Sequence, residues 1–135
     1  MLIAGEALAL RVAEDGDRGF ILSTWVESYR QQAGVSRAVY LAEQPRLAER
    51  LYREHGALVV CSERRPSTIH AWACAAWPTL HYAYTVPELR RQGLLRAMIV
   101  ATLGDYPRVI DTTHRMPFGS VRFRWNPYPL MRGAV

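Results

Sequence analysis

The sequence predicts one α/β domain of the α+β kind, a mixed but mostly antiparallel sheet flanked by helices. Three observations predict it. Residues 57–77 read as two strands joined by a polar turn, a hairpin. Residues 80–103 read as a strand, a glycine-containing turn and a helix. A further strand-like run at 108–113 follows that helix, and a parallel partner to the strand before it would need the helix as its crossover.

The chain of 135 residues is long enough for one hydrophobic core and too short for two, so residues 1–135 form a single domain. Half of the residues are hydrophobic and 21% are charged, the balance of a globular protein. No apolar run approaches the roughly 20 residues of a membrane span. The start, Met1-Leu2-Ile3-Ala4-Gly5-Glu6, lacks the basic stretch of a secretory signal, and a cytoplasmic location is expected. Cys61 and Cys74 sit in apolar strand-like runs without metal-ligand spacing and read as buried thiols; four dispersed histidines give no zinc pattern, and no metal is expected. All 17 basic residues are arginines. Residues 1–85 hold 9 Arg and 9 Asp/Glu, residues 86–135 hold 8 Arg and 3 Asp/Glu, so the net +5 sits in the C-terminal part. A polyanion is the partner such an excess suits, either a nucleotide cofactor or nucleic acid.

In chain order, Ala-Leu-Ala-Leu-Arg-Val-Ala at 7–13 predicts a first strand. Glu14-Asp15-Gly16-Asp17 is a turn, with Asp15 or Asp17 as helix N-cap. A helix follows over 18–32, with Leu22, Trp25, Val26 and Tyr29 on one stripe, bordered by Ile21 and Ser28. Residues 33–44 show no sustained period and read as a loop. Pro45 then opens a second helix at the first-turn position proline favours, with Leu47, Leu51 and Tyr52 inward, and Gly56 ends it. Residues 57–61 and 68–77 are the second and third strands, and Pro78-Thr79 turns the chain into the fourth, Leu80-His81-Tyr82-Ala83-Tyr84-Thr85-Val86. Pro87 stops that strand because it lacks the N–H a ladder needs. Gly93 permits a tight turn, and Leu94, Ala97, Met98 and Ala101 recur at helical spacing. Strand, basic turn and helix in this order aim unpaired N–H groups and a positive dipole end at one point, an anion site suited to a phosphate or pyrophosphate.

The run Val86-Pro87-Glu88-Leu89-Arg90-Arg91-Gln92-Gly93-Leu94-Leu95-Arg96-Ala97 resembles the acetyl-CoA signature of the GNAT N-acetyltransferases. Arg90, Gly93 and Leu95 fall on the three fixed positions of that family's pyrophosphate loop, and Leu95 replaces its small residue. The helix from Phe20 to Arg30 and the Trp125-Asn126-Pro127-Tyr128 tail resemble a short, phage-encoded GNAT-like group. The resemblance implies a sheet splayed at the fourth strand. Here the chain departs from the family, because residues 114–119 leave no room for its usual fourth helix, which is expected to be missing or much reduced.

The resemblance also implies acetyl transfer from acetyl-CoA to a primary amine in a ternary complex. The cofactor's phosphates would meet the N–H groups of Arg91, Gln92, Gly93, Leu94 and Leu95, with charge from Arg90 and Arg91. Main-chain atoms of Tyr84, Thr85 and Val86 would pair with its pantetheine, and a bulge there would supply the oxyanion donor. Trp25, Ser28, Tyr29 and Arg30 fall where the family walls its acceptor pocket, although Trp25 and Tyr29 equally suit a core. The general base is left open between His81, which also reads as a structural histidine, and His114. Strand alternation places His81 with Ala83 and Thr85, opposite Tyr82 and Tyr84, unless a bulge breaks the phase. Tyr82, Tyr84 or Tyr128 would serve as acid toward the thiolate, or that role is empty. The acceptor is a small amine, a protein amine, or an amine on a modified DNA base or nucleotide; the arginine excess and the phage resemblance favour the last. The alternative is a non-catalytic scaffold that binds CoA, DNA or a protein. Another acyl group in place of acetyl, and a monomer or a homodimer, also stay open.

Overall fold

A computed structural model describes residues 2–3, 5–30, 37–76, 79–103, 110–112 and 123–125. Among the described residues seven strands form a sheet in chain order: β1 (Leu2–Ile3), β2 (Glu6–Val12), β3 (Leu58–Ser62), β4 (Ile69–Ala76), β5 (Thr79–Thr85), β6 (Ile110–Thr112) and β7 (Phe123–Trp125). Neighbours from β1 to β5 pair antiparallel, whereas β6 runs parallel to β5 and β7 parallel to β6. The hairpin expected at 57–77 is β3–β4. The parallel crossover expected after β5 is made through helix α3 (Leu94–Leu103).

Two further helices, α1 (Arg18–Arg30) and α2 (Arg37–His55), lie on one face of the sheet. Their apolar stripes meet the alternate residues of the strands that point the same way: Ile21, Trp25, Ala48 and Leu51 pack with Val59, Cys61, Trp72, Cys74 and Tyr82. The opposite face carries α3, whose Leu94, Met98 and Ile99 pack on Leu8, Val60, Ala71, Ala73 and Leu80. The sheet is therefore buried on both sides, which is why β3 and β4 read as nearly continuous apolar runs. Among the described residues, no helix is long and apolar enough to cross a membrane.

Four expectations change. The 33–44 loop gives way at Arg37 to α2, which runs through Pro45. The residues before Pro45 include strong helix formers, and one proline removes a single hydrogen bond from a helix of 19 residues. On α3 the buried position is Ile99, while Ala101 is exposed. Asp17 does not cap α1 through its carboxylate. Its Oδ2 accepts the N–H of Glu14 at 2.7 Å, and Oδ1 accepts Nη2 of Arg11 at 2.9 Å. Arg11 also reaches the carbonyl of Pro66 at 2.8 Å, so the pair ties the β2–α1 turn to the β3–β4 turn. The guanidinium of Arg11 holds the Asp17 carboxyl below the usual carboxylate range. Gly56 behaves as expected: at φ +67° its N–H returns to the carbonyl of Tyr52 at 2.7 Å and closes α2.

The fourth change concerns bulges. Cys74 pairs with Tyr82 and Ala75 with Leu80, which leaves His81 as an extra residue in β5. Val60 pairs with Ala71 and Cys61 with Ile69, which leaves His70 extra in β4. Each insertion reverses the side-chain phase. Leu80 consequently faces α3 while Tyr82 faces α1 and α2, although only one residue separates them. From Ala83 to Thr85 the pairing with β4 is regular, so the bulge lies at His81 and not at Tyr84–Val86. The expected shortfall of a fourth helix falls within 113–122, outside the described residues.

Candidate functional site

The candidate site lies along β5. That strand pairs with β4 over its whole length, but with β6 only at Thr79–Asp111 and Leu80–Thr112. Beyond Leu80, among the described residues, no strand covers this edge of 81–85; the splay expected at the fourth predicted strand would involve residues after Thr112, outside the described residues.

Backbone phase decides which groups face this edge. The N–H of Val86 donates to the carbonyl of His70 at 2.9 Å. Counting back in twos, Tyr84 and Tyr82 also direct their N–H and C=O toward β4, and Ala83 and Thr85 direct theirs toward the other edge. The Thr85 carbonyl is already engaged, accepting Nε of Arg90 at 2.9 Å. The N–H and C=O of Ala83 and the N–H of Thr85 thus form a short edge able to pair with an extended amide-bearing chain. Ala83 had no side-chain signal; only the register reveals it.

The edge leads to the anion loop. A short 3-10 turn, Pro87–Leu89, follows Val86, and Arg91 (φ +66°) and Gly93 (φ +79°) then both take left-handed backbone. The carbonyl of Gly93 accepts the N–H of Ala97 at 3.0 Å, which makes Gly93 the N-cap of α3. The N–H groups of Leu94 and Leu95, both in the expected set, therefore begin the helix without helical acceptors. Arg90, Arg91, Gln92 and Gly93 are exposed around it. Leu95, the departure from a small residue, is half-buried and packs on the α3-side core, as does Leu89.

On the other face of β5, aromatic rings make a wall. Tyr82 stacks on Trp25 (5.7 Å between centroids, 10° between planes) and lies 5.9 Å from Trp72. Its hydroxyl is 2.8 Å from Oγ of Ser28, and Nε1 of Trp72 donates to Oγ1 of Thr24 at 2.9 Å. Trp25 is only 2% exposed, a core residue behind the wall. Ser28 is half-buried, and Tyr29 and Arg30 occupy the last turn of α1, placed by their backbone alone. Tyr84, nearer the loop, meets the partly exposed Phe20 edge-on at 6.3 Å, with the Arg90 guanidinium 5.7 Å from its ring centre.

His81 is 3% exposed and follows Leu80, the last residue of β5 with a described partner on β6, a point called the vertex below. The bulge brings its ring against His55, the last residue of α2, with centroids 4.7 Å apart and planes at 19°. His55 carried no sequence signal, because only the tertiary fold brings the end of α2 to this strand. The structure thus gathers His81, Tyr82, Tyr84 and Ser28 around one stretch of β5, while His114 and Tyr128 lie outside the described residues. Cys74 is buried as expected: burial pushes its thiol up to about 12, and Sγ donates toward the carbonyl of Leu51, 3.6 Å away.

No family model and no curated protein sequence matches the chain. Among solved structures it is similar to apo-form YjaB from Escherichia coli, a GNAT-fold protein, with a TM-score of 0.56 and 16% identity over 73% of this chain and 65% of that one. The chain thus spans a little under two thirds of that protein's length. A looser likeness, TM-score 0.41 and 15% identity over 73% of this chain and 70% of that one, is to AAC(6')-Iy in complex with the bisubstrate analogue CoA-S-monomethyl-acetylneamine. The class these observations define is one of fold. The chain has a GNAT-like architecture, a mixed sheet with α1 and α2 on one face and α3 on the other.

Proposed function

We propose that the protein is an acetyl-CoA-dependent N-acetyltransferase acting on a primary amine. The observation that carries this reading is the continuity of two features: an edge at Ala83 and Thr85 that no described strand covers, and the N-terminus of α3 at Gly93 that follows it. The first suits the amide-bearing pantetheine arm and the second suits the pyrophosphate. Acetyl-CoA supplies an activated acyl group, a thioester whose thiolate leaves readily.

The chain's own residues would do the rest. The edge would hold the arm by main-chain hydrogen bonds from Ala83 and Thr85. The N–H groups of Leu94 and Leu95, with Arg90 and Arg91 nearby, would neutralise phosphate charge. Edge N–H groups of β5 donate to the oxygen on which negative charge grows. As the amine lone pair forms the new C–N bond, His81 takes the proton that the nitrogen sheds, and the C–S bond breaks. The hydroxyl of Tyr82, held by Ser28, and that of Tyr84 are the nearby acids for the sulfur. A DNA-base or nucleotide amine is the favoured acceptor class, on the strength of the arginine excess after residue 86.

Calorimetry with acetyl-CoA tests the cofactor, and absence of heat at millimolar concentration would end the reading. Release of free thiol with a panel of small amines, peptides and amine-bearing oligonucleotides separates an enzyme from a binding module. If the acceptor is nucleic acid, its affinity must fall steeply as salt rises.

A further inference from the structure

The proposed acetyl transfer, on which any role for His55 rests, leaves a proton on His81. At 3% exposure His81 meets solvent only narrowly, so a proton taken from the amine needs a path outward. His55 lies against it, ring on ring at 4.7 Å. Its own side chain is 26% exposed, and its Nε2 is 3.7 Å from Oε2 of Glu54. One imidazole is therefore buried beside the vertex, and the one stacked on it opens to water. Stacked faces exchange nothing; with ring centroids 4.7 Å apart, one water at the ring edges would join the two imidazoles. Histidine is the side chain suited to passing protons in the neutral range.

We propose that His55 is the relay through which His81 returns its proton to solvent. The proton leaves the amine nitrogen as the C–N bond forms and rests on a ring nitrogen of His81. His81 then gives it to the bridging water, which hands one of its protons to His55, and His55 releases it to bulk beside Glu54. No electrons change hands, and both rings return to their starting state. The surroundings suit this path. On α2, Glu54 faces Nε2 of His55 and lies 3.9 Å from Nε of Arg50. On β4, the thiol of Cys74 stays protonated opposite Tyr82. On β6, Thr112 lies opposite Leu80 and is uncharged. His55 ends a helix and is partly exposed, so it tolerates substitution.

The experiment compares wild type with His55→Phe, which keeps a flat ring but carries no proton, and with His55→Gln, which is polar but does not titrate. The exchange rate of the His81 ring N–H with water, read by NMR, is expected to fall on the order of tenfold or more in both variants. Turnover is expected to fall in both and to recover with added imidazole, at an unchanged KM for acetyl-CoA. Exchange as fast as in wild type in either variant would overturn the relay, and so would full activity of His55→Phe, which would make the contact one of packing. The two readings fail separately. Slowed exchange in the variants of a protein that never binds acetyl-CoA removes the transferase and keeps the path, whereas unchanged exchange in the variants of a working transferase does the reverse.

Discussion

Gly93 offers the sharpest test of the phosphate site, because its two roles can be separated by substitution. At φ +79° it occupies backbone that side chains disfavour, yet a Cβ built there meets nothing within 4 Å. Gly93→Ala should therefore cost only the left-handed penalty, about 1–2 kcal/mol, with no clash. Gly93→Glu pays the same penalty but recovers roughly 0.3–1 kcal/mol, since a carboxylate at the N-terminus of α3 favours the helix dipole. Its stability should lie at or above that of the alanine variant. Its effect on binding is opposite. A carboxylate about 5 Å from a pyrophosphate bearing two charges is repelled by roughly 1.7 kcal/mol in water and twice that at half the dielectric, a loss of about fifteenfold to several hundredfold in affinity. Urea unfolding reads the first quantity and calorimetry with acetyl-CoA the second. The reasoning is refuted if Gly93→Glu binds acetyl-CoA within threefold of Gly93→Ala, because the phosphates would then lie elsewhere.

Two further outcomes concern the scaffold. Asp17 has its folded pKa depressed, by Arg11 first, so its contribution is present above the unfolded carboxylate value and is lost as pH falls through the lower folded value. Asp17→Asn should cost roughly 1–3 kcal/mol at neutral pH, and its stability curve should converge with that of wild type in acid; parallel curves from pH 7 to 2 would count against the pairing. For Cys74, a thiol raised from 9.0 to about 12 holds roughly a thousandfold less thiolate at any ordinary pH. In a Cys61→Ala background, a disulfide reagent should label the native chain at least about a hundredfold more slowly than the urea-unfolded chain, and similar rates would show the thiol to be accessible.

What the sequence revealed depended on whether local chemistry or tertiary register decided the matter. Pro87 and Gly93 announce themselves, since one cannot continue a ladder and the other takes a backbone others resist; the strand–loop–helix core of the site was legible for that reason. So was the crossover to β6, which the length of α3 demands. The two bulges were not, because nothing in His70 or His81 marks it as the inserted residue, and the phase of β5 turns on that point. Alternation alone put His81 with Ala83, whereas the fold brings it to His55 beside Tyr82. The start of α2 was missed for the opposite reason, a local rule applied too strictly to Pro45.

The bulge at His81 has a consequence for how this protein can change. An ordinary residue in β5 answers to a cross-strand neighbour and to the helix layer it faces. Residue 81 is the one inserted relative to β4, so the ladder constrains its backbone more than its side chain, and that backbone sets the phase whatever side chain it bears. Exchange of His81 for another neutral ring would alter the chemistry at this point and leave the ladder intact, whereas its deletion would swing Leu80 to the wrong layer. The position is a socket: the fold requires that something be there and leaves open what it is.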